Sequence, residues 1–327
     1  MKKVAVTGAS GHIGANLVRE LLSRGFQVTT LIRQSSEALE GLDVTRVNGD
    51  ILDTRSLRRA FKGVEQVYHL AAHISIQQGE SELLERINVH GTRNVMTACR
   101  LESVETLVHF SSIHALNLKP LDQPVTEENP LLGGSADYGA DYDISKASAD
   151  SLVRQNDDEE LSTRIIYPTA VLGPNDFRQS LFGQAIRKMA GGKLPALVAG
   201  GFDWVDARDV AWGAVEAAEK GEDKDRYILS GNYVDMPEVA AVIAELTGVA
   251  APRFTCPTWL AGVFAPMMST WARLTGEAPL YTRDSLATLS TNKVMSHGKA
   301  SRKLSYRPRP FRESMVDVLS FYNDIKQ

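Results

Sequence analysis

A tyrosine and a lysine lie four positions apart at Tyr142 and Lys146, at the start of a helical pattern. Residues at that spacing share one face of a helix. A nearby ammonium group favours phenolate and lowers the pKa of a tyrosine, so that the phenol can pass a proton near neutral pH. Upstream, Ser111 and Ser112 end a predicted strand, where one hydroxyl can hydrogen-bond a substrate oxygen. Together these residue types predict proton transfer at a substrate oxygen.

A glycine-rich turn opens the chain between an apolar strand and an amphipathic helix, in the sequence Thr7–Gly14. Gly8 permits the tight turn, Gly11 lets a pyrophosphate approach the main chain, and Gly14 lets the helix pack closely on the strand. The helix N-terminus supplies free N–H groups and a positive dipole. Strand, turn and helix in this order predict a dinucleotide-binding site.

The end of the second predicted strand indicates which dinucleotide is bound. An acidic residue there would bind the ribose 2′-hydroxyl of NAD, but this chain has Arg33, followed by Ser35 and Ser36. A guanidinium pairs with a 2′-phosphate, and the serine hydroxyls can add donors. The predicted cofactor is therefore NADP(H).

Predicted strands alternate with helical patterns along the first two thirds of the chain. The strands are almost continuously apolar, which is typical of parallel strands buried on both faces. The predicted fold is α/β, a Rossmann-type doubly wound parallel sheet with a smaller C-terminal substrate-binding subdomain. Residues 1–167 and 202–231 are predicted to form the NADP-binding domain, and residues 168–201 and 232–327 the substrate-binding lid.

Composition excludes several classes of protein. The 327 residues carry 36 Lys and Arg against 40 Asp and Glu, so the net charge of −4 argues against a nucleic-acid partner. Cys99 and Cys256 lie far apart without metal-ligand spacing, which fits a reducing compartment. The apolar run before Gly8 is too short for a signal peptide, and no run is long enough for a membrane span. We expect a cytoplasmic protein.

The sequence resembles the extended short-chain dehydrogenase/reductases over nearly its whole length. The ordered motifs are TGASGHIG at Thr7–Gly14, GDILD at Gly49–Asp53, HLAA at His69–Ala72, NVHGTRN at Asn88–Asn94, FSS at Phe110–Ser112, YDISK at Tyr142–Lys146, YPTAVLGP at Tyr167–Pro174 and VDARDVA at Val205–Ala211. Within that family it is most similar to the dihydroflavonol 4-reductase-like branch, through LIR after the second strand and a C-terminal LTGEAPLYT.

The resemblance implies a role for each matching residue. Tyr142 would donate the proton to a substrate carbonyl, Lys146 would hold the nicotinamide ribose and lower the tyrosine pKa, and Ser112 would position the carbonyl. The implied activity is NADPH-dependent reduction of an aldehyde or ketone. The implied cofactor-binding residues are Gly8, Ser10, Gly11, His12, Ile13, Arg33, Asp50, Ile51, Leu70, Ala71, Ala72, Ser111, Tyr142, Lys146, Tyr167, Pro168, Thr169 and Val171.

Other activities stay open beside this one. A sugar-nucleotide epimerase or dehydratase is disfavoured because Ile113–Leu116 replaces the usual small-residue stretch ending in Tyr-Gly. A hydroxysteroid-type dehydrogenase has support only from the apolar cluster between Trp259 and Trp271. A non-enzymatic NADP(H) sensor is disfavoured because relatives of that kind typically lack the tyrosine-lysine pair.

The remaining predictions concern the pocket and the assembly. Ile74–Gln78, Ile113–Ser135 and the region after Pro174 through Gly201 are expected to form the substrate pocket, with Tyr138 as a wall residue. His114 could hydrogen-bond the substrate. His69 and His73 span a strand end, so no metal site is expected. The partner is a small-molecule carbonyl substrate, and the resemblance implies a monomer or homodimer.

Overall fold

The computed structural model describes residues 1–75, 79–133, 140–194, 196–258, 289 and 292–324. The predicted apolar cluster between Trp259 and Trp271, the wall residue Tyr138 and part of the Ile74–Gln78 stretch lie outside these residues.

Seven parallel strands form the main sheet, in the order β10-β6-β5-β4-β1-β2-β3. After β1, the chain adds β2 and β3 on one side of β1. The strands β4, β5, β6 and β10 then follow on the other side, as in a doubly wound sheet. The predicted Rossmann-type fold is therefore confirmed. Its strands are β1 Lys3–Thr7, β2 Gln27–Ile32, β3 Thr45–Asn48, β4 Gln66–His69, β5 Thr106–Phe110, β6 Ser162–Pro168 and β10 Asp225–Leu229.

Helices cover both faces of this sheet, because its strands are apolar on both sides. One hydrophobic cluster packs between the sheet and the pair α1 and α7, and a second packs under α2, α4 and α5. The helices are α1 His12–Ser23, α2 Thr54–Phe61, α3 Ser81–Leu84, α4 Gly91–Leu101, α5 Asp141–Arg154 and α7 Ala207–Lys220, with a π-helical segment Glu85–His90 joining α3 to α4.

A second group of elements has its own hydrophobic cluster. A three-stranded sheet, in the order β11-β9-β7, and a two-stranded pair of β8 and β12 pack there with three helices. The elements are β7 Ala170–Leu172, β8 Leu197–Val198, β9 Gly201–Asp206, β11 Asn232–Asp235, β12 Thr255–Cys256, α6 Leu181–Ala190, α8 Met236–Thr247 and α10 Phe311–Asp324. The short helix α9, Gly298–Leu304, packs on α7 and β10 instead.

The motif VDARDVA was expected beside the main sheet, and it divides between the two groups. Its helix, α7, packs on the main sheet, whereas β9 hydrogen-bonds within the three-stranded sheet.

No described helix is long and apolar enough to cross a membrane.

Candidate active site

The carboxyl ends of β1, β4, β5 and β6 meet at one edge of the main sheet, where the predicted functional residues follow their strands. β1 and β4 are neighbours, and the strand order reverses between them. Ligands of open α/β sheets bind in the crevice at such a reversal. The glycine turn follows β1 at this point.

Main-chain packing explains two of the three glycines in the turn. Gly8 has φ +74°, and a Cβ atom there would lie 2.6 Å from the main-chain nitrogen of Ala71. At Gly14 a Cβ atom would lie 2.2 Å from the carbonyl oxygen of Gly8. At Gly11 the nearest atom would be the same oxygen, at 3.3 Å. A side chain at Gly11 would therefore need the Gly8 carbonyl to move by a few tenths of an ångström.

Helix α1 presents free N–H groups beside this turn. Its N-cap is Gly11, no described side chain caps it, and its first turn contains no acidic residue. An anionic diphosphate fits such a helix end, since unpaired N–H groups and the helix dipole both favour it. The His12 side chain points elsewhere, with Nε2 at 3.1 Å from Gly173 O and 3.2 Å from Pro174 O. Only the main chain of His12 is thus available to the diphosphate.

The predicted adenosine end lies beyond β2. Arg33 is exposed there, and no carboxylate among the described residues pairs with it. Asp50 is held by its main chain, whose N–H donates to Ser56 Oγ at 3.0 Å, while its Oδ1 accepts from Leu52 N–H at 2.9 Å. Ile51 is buried against α4. These contacts order the loop, and the exposed Arg33 guanidinium lies beside it.

The predicted nicotinamide end follows β4, β5 and β6. Leu70, Ala71 and Ala72 leave β4 beside the glycine turn, and Thr7 Oγ1 accepts from Ala71 N–H at 3.3 Å. Thr169 is held by its hydroxyl, which donates to Asp203 Oδ1 at 2.7 Å, and Pro168 and Val171 flank it.

Two predicted cofactor residues carry buried hydroxyl groups: Tyr167 on β6, and Ser111 directly after β5. Tyr167 is fully buried, and its hydroxyl lies 2.8 Å from Arg154 Nη2 under α5, so only its main chain can face the cofactor. The Ser111 hydroxyl is buried without a partner among the described residues. A buried hydroxyl without a partner is costly, which favours a ligand that completes it.

Ser112, Tyr142 and Lys146 come together where α5 passes over the end of β5. Ser112 is 8% exposed and Lys146 4% exposed, whereas Tyr142 is partly exposed in the first turn of α5. The side chains of Ser112 and Tyr142 interact by hydrogen bonding. Lys146 Nζ donates to the carbonyl oxygen of Phe110 at 2.6 Å. The structure therefore assembles the three predicted catalytic residues in one place.

Burial raises the pKa of Tyr142 above its ordinary value, the Asp143 carboxylate raises it further, and the hydrogen bond with Ser112 lowers it. The sequence predicted that Lys146 lowers this pKa, but the ammonium group is held by Phe110 O and is not among the groups that shift it. Tyr142 is therefore a protonated phenol at neutral pH, a state suited to donating a proton.

Burial lowers the pKa of Lys146 to about 8, while the Asp150 carboxylate one turn further along α5 acts in the opposite direction. Two buried histidines lie on the neighbouring strands, with ring centroids 5.6 Å apart at His69 and His109. Burial, together with the Lys146 charge, lowers the pKa of His69 to about 3 and that of His109 well below its ordinary value. Both rings are neutral, so Lys146 carries the positive charge of this buried layer.

A chain of hydrogen bonds connects β1, which precedes the glycine turn, to α5, which carries Tyr142 and Lys146. His69 Nδ1 lies 2.7 Å from Thr7 Oγ1, and His69 Nε2 lies 3.1 Å from Thr92 Oγ1. Thr92 donates to Asn88 O at 2.6 Å. Asn88 Nδ2 donates to Ser145 Oγ at 2.9 Å, and Ser145 donates to Tyr142 O at 2.7 Å.

Asn88 lies in the π-helical segment, an irregularity that is frequent at functional sites. Its amide also brackets His73, accepting from His73 N–H at 2.8 Å and donating to His73 O at 3.0 Å. Asn88 begins the motif NVHGTRN, but the sequence alone did not predict a place for it in the site.

His114 lies in the short 3₁₀ turn after Ser112, whose Oγ accepts from His114 N–H at 3.2 Å. Its predicted contact with substrate stays a prediction. Asp150 was missed, although its spacing of four after Lys146 could have indicated it.

A family model described as the NAD dependent epimerase/dehydratase family matches residues 4–230, and the chain belongs to this family. The match confirms the resemblance to the extended short-chain dehydrogenase/reductases, and it indicates an oxidoreductase that uses a nicotinamide dinucleotide.

Similar proteins extend over almost the whole chain. Sterol demethylase protein B of Methylococcus capsulatus is 36% identical over 323 residues, covering 98% of each chain. A Synechocystis protein provisionally named as a dihydroflavonol 4-reductase is 30% identical, covering 98% of this chain and 94% of its own. The crystal structure of gox2253 superposes with a TM-score of 0.85 at 30% identity, covering 99% of each chain.

Proposed function

We propose that the protein is an NADPH-dependent reductase that converts an aldehyde or ketone to an alcohol. The observation that carries this proposal is the assembly of Ser112, Tyr142 and Lys146 at the sheet edge where the glycine turn ends. When bound, the nicotinamide supplies the hydride.

Each of the three residues has a distinct task in this proposal. The Ser112 hydroxyl binds the substrate carbonyl oxygen, and the Tyr142 phenol donates a proton to it as negative charge develops. The raised pKa of Tyr142 keeps that proton available at neutral pH. The Lys146 ammonium, held by Phe110 O, would bind the nicotinamide ribose through its remaining N–H donors.

The cofactor would lie across the edge between β1 and β4. Ser10, Gly11 and Ile13 hold the diphosphate through the main chain at the start of α1, and Arg33 holds the 2′-phosphate. Asp50 and Ile51 flank the adenine. Pro168, Thr169 and Val171 hold the nicotinamide, beside the unpaired Ser111 hydroxyl.

The remaining parts of the proposal concern organisation. The proposed division places residues 1–167 with 202–231 in the cofactor domain and residues 168–201 with 232–327 in the part that closes over the substrate, although β9 pairs with strands of the second part. We expect a cytoplasmic monomer or homodimer that binds no nucleic acid.

Replacement of Tyr142 by Phe tests the reaction directly. With NADPH and a panel of aldehydes and ketones, kcat of Tyr142→Phe should fall about 10²- to 10⁴-fold, because only the proton donor is removed. Dissociation constants for NADPH and thermal stability should stay close to those of the wild type.

A matched control removes another hydroxyl from a buried tyrosine. Tyr227 on the edge strand β10 donates to Asp225 Oδ2 at 2.7 Å, and Tyr227→Phe should leave kcat unchanged. A wild type that reduces every carbonyl no faster than Tyr142→Phe would contradict the proposal.

A sterol-like alcohol is a second candidate substrate, oxidised by the same three residues acting in reverse. Its support is the similarity to sterol demethylase protein B over 98% of each chain. Incubation with NADP and a panel of hydroxysteroids separates the candidates, since NADPH formation faster than carbonyl reduction would favour oxidation.

A further inference from the structure

The segment that follows β7 packs directly on the start of α1. His12 Nε2 contacts the carbonyl oxygens of Gly173 and Pro174, and Asn16 Nδ2 donates to Pro174 O at 2.9 Å. Asn175 Nδ2 donates in turn to Asn16 Oδ1 at 2.9 Å. The contacts come from side chains at positions 12 and 16, one helical turn apart, so the segment follows the first turn of the helix.

The far end of the segment is equally well held. Asp176 is 1% exposed, and its carboxylate accepts from Ser180 N–H, from Ser180 Oγ at 2.7 Å and from Tyr322 Oη at 2.9 Å. Phe177 packs edge-on against Phe321, with ring centroids 5.2 Å apart. These contacts fix the main chain on both sides of the next residue, Arg178.

Arg178 extends from this segment to the glycine turn. Its Nη2 donates to Ser10 Oγ at 2.8 Å, and the guanidinium is exposed. Ser10 is a neutral acceptor, and no carboxylate pairs with Arg178 in the part of the chain that the structure describes. The fork of a guanidinium has five N–H donors, most of which this single bond leaves available.

The neighbouring arginine on the same side of α1 is arranged differently. Arg19 Nη1 donates to the carbonyl oxygens of Ala15 and Ala38, at 2.9 and 3.0 Å, which ties it to the protein. Among the described residues, Arg178 thus reaches the turn with N–H donors that have no partner there, next to N–H groups of α1 that already favour an anion.

We propose that Arg178 is a ligand of the cofactor diphosphate, supplied to the glycine turn from the segment after β7. The inference rests on the dinucleotide-binding part of the proposed function and is independent of the substrate. A guanidinium binds phosphate oxygens in a bidentate manner, and here it lies at the Ser10 side chain, next to the first turn of α1. The diphosphate would then contact both the guanidinium and the main-chain N–H groups at the start of α1.

Binding titrations test this proposal without any turnover. Arg178→Gln should raise the dissociation constants of NADPH, NADH and ADP-ribose about tenfold, because all three carry the diphosphate. The dissociation constant of adenosine 2′-monophosphate, which lacks a diphosphate, should not change. Arg178→Lys should have a smaller effect, since it keeps the charge and loses the fork.

Two further variants separate binding from structure. Ser10→Ala removes the acceptor seen here, and it should weaken binding less than Arg178→Gln if the guanidinium binds phosphate. Arg253, an exposed arginine before β12, provides the charge control Arg253→Gln. Thermal melting without cofactor checks that each variant is folded.

An effect of Arg178→Gln no larger than that of Arg253→Gln would overturn the proposal. So would a loss of affinity for NADPH that spares NADH, because the guanidinium would then bind the 2′-phosphate. A wild type that binds dinucleotides but reduces no carbonyl would refute the proposed reaction and leave the role of Arg178 intact.

Discussion

At the glycine turn main-chain atoms pack on main-chain atoms, whereas around Tyr142 and Lys146 buried polar side chains contact one another. The absent Cβ of Gly14 would lie 2.2 Å from a carbonyl oxygen that belongs to the same turn. Lys146 Nζ donates to one carbonyl oxygen at 2.6 Å. Burial lowers its pKa, and the Asp150 carboxylate raises it. The turn is therefore sensitive to shape, and the region of α5 around Tyr142 and Lys146 is sensitive to charge and protonation.

The largest expected effect on the turn comes from Gly14→Ala. The new methyl group meets main-chain atoms of Gly8 and Ala9, which cannot move away as a side-chain end could. We expect a loss of about 3 kcal/mol in the free energy of unfolding, measured by denaturant titration, together with loss of NADPH binding.

Gly25→Ala is a control for that prediction, because it adds a methyl group without a close contact. Unlike Gly14, which is helical, Gly25 has a left-handed φ of +80°, and a Cβ atom there has no neighbour within 4 Å. Its cost should be about 1 kcal/mol, from backbone strain alone. Equal losses for the two variants would show that close packing does not distinguish the turn.

Arg33 tests this comparison further, because it is a charged side chain in the same predicted cofactor region as the glycine turn, which is sensitive to shape. Arg33→Asp should weaken NADPH binding by about 1–3 kcal/mol while NADH binding does not weaken, since only NADPH carries the 2′-phosphate. Calorimetric titration with both cofactors measures the difference. Unchanged NADPH affinity would remove Arg33 from the site.

The smallest effect is expected from pH and the charge of Asp150. Lys146 with a pKa of about 8 loses its proton above that pH, while Tyr142 stays protonated, so kcat/KM for reduction should fall above about pH 8. Asp150 favours the ammonium, and Asp150→Asn should therefore move the midpoint to lower pH. A pH profile of both proteins checks the sign, and a shift to higher pH would contradict it.

The sequence was most informative where a local pattern reports local structure. The strand, turn and helix around Gly8–Gly14 were predicted from their order, since glycine spacing and apolar periodicity are local properties. The strand β3 was missed, because its residues at the sheet edge are largely exposed and carry no apolar signal. The three-stranded sheet was missed for a similar reason, since β7 contains three residues and β11 four.

By itself the sequence determined the parallel sheet and the glycine turn, and it proposed Ser112, Tyr142 and Lys146 as candidate catalytic residues, because spacing and residue type carry this information. Tertiary structure alone decided the protonation of the site. The pKa of Tyr142 follows burial and Asp143, and Lys146 is drawn to Phe110 O, although its spacing suggested an effect on the phenol. It also decided that Arg178, 168 residues along the chain from Ser10, reaches the glycine turn. Desolvation and distant contacts depend on which elements pack together, and spacing along the chain does not encode that.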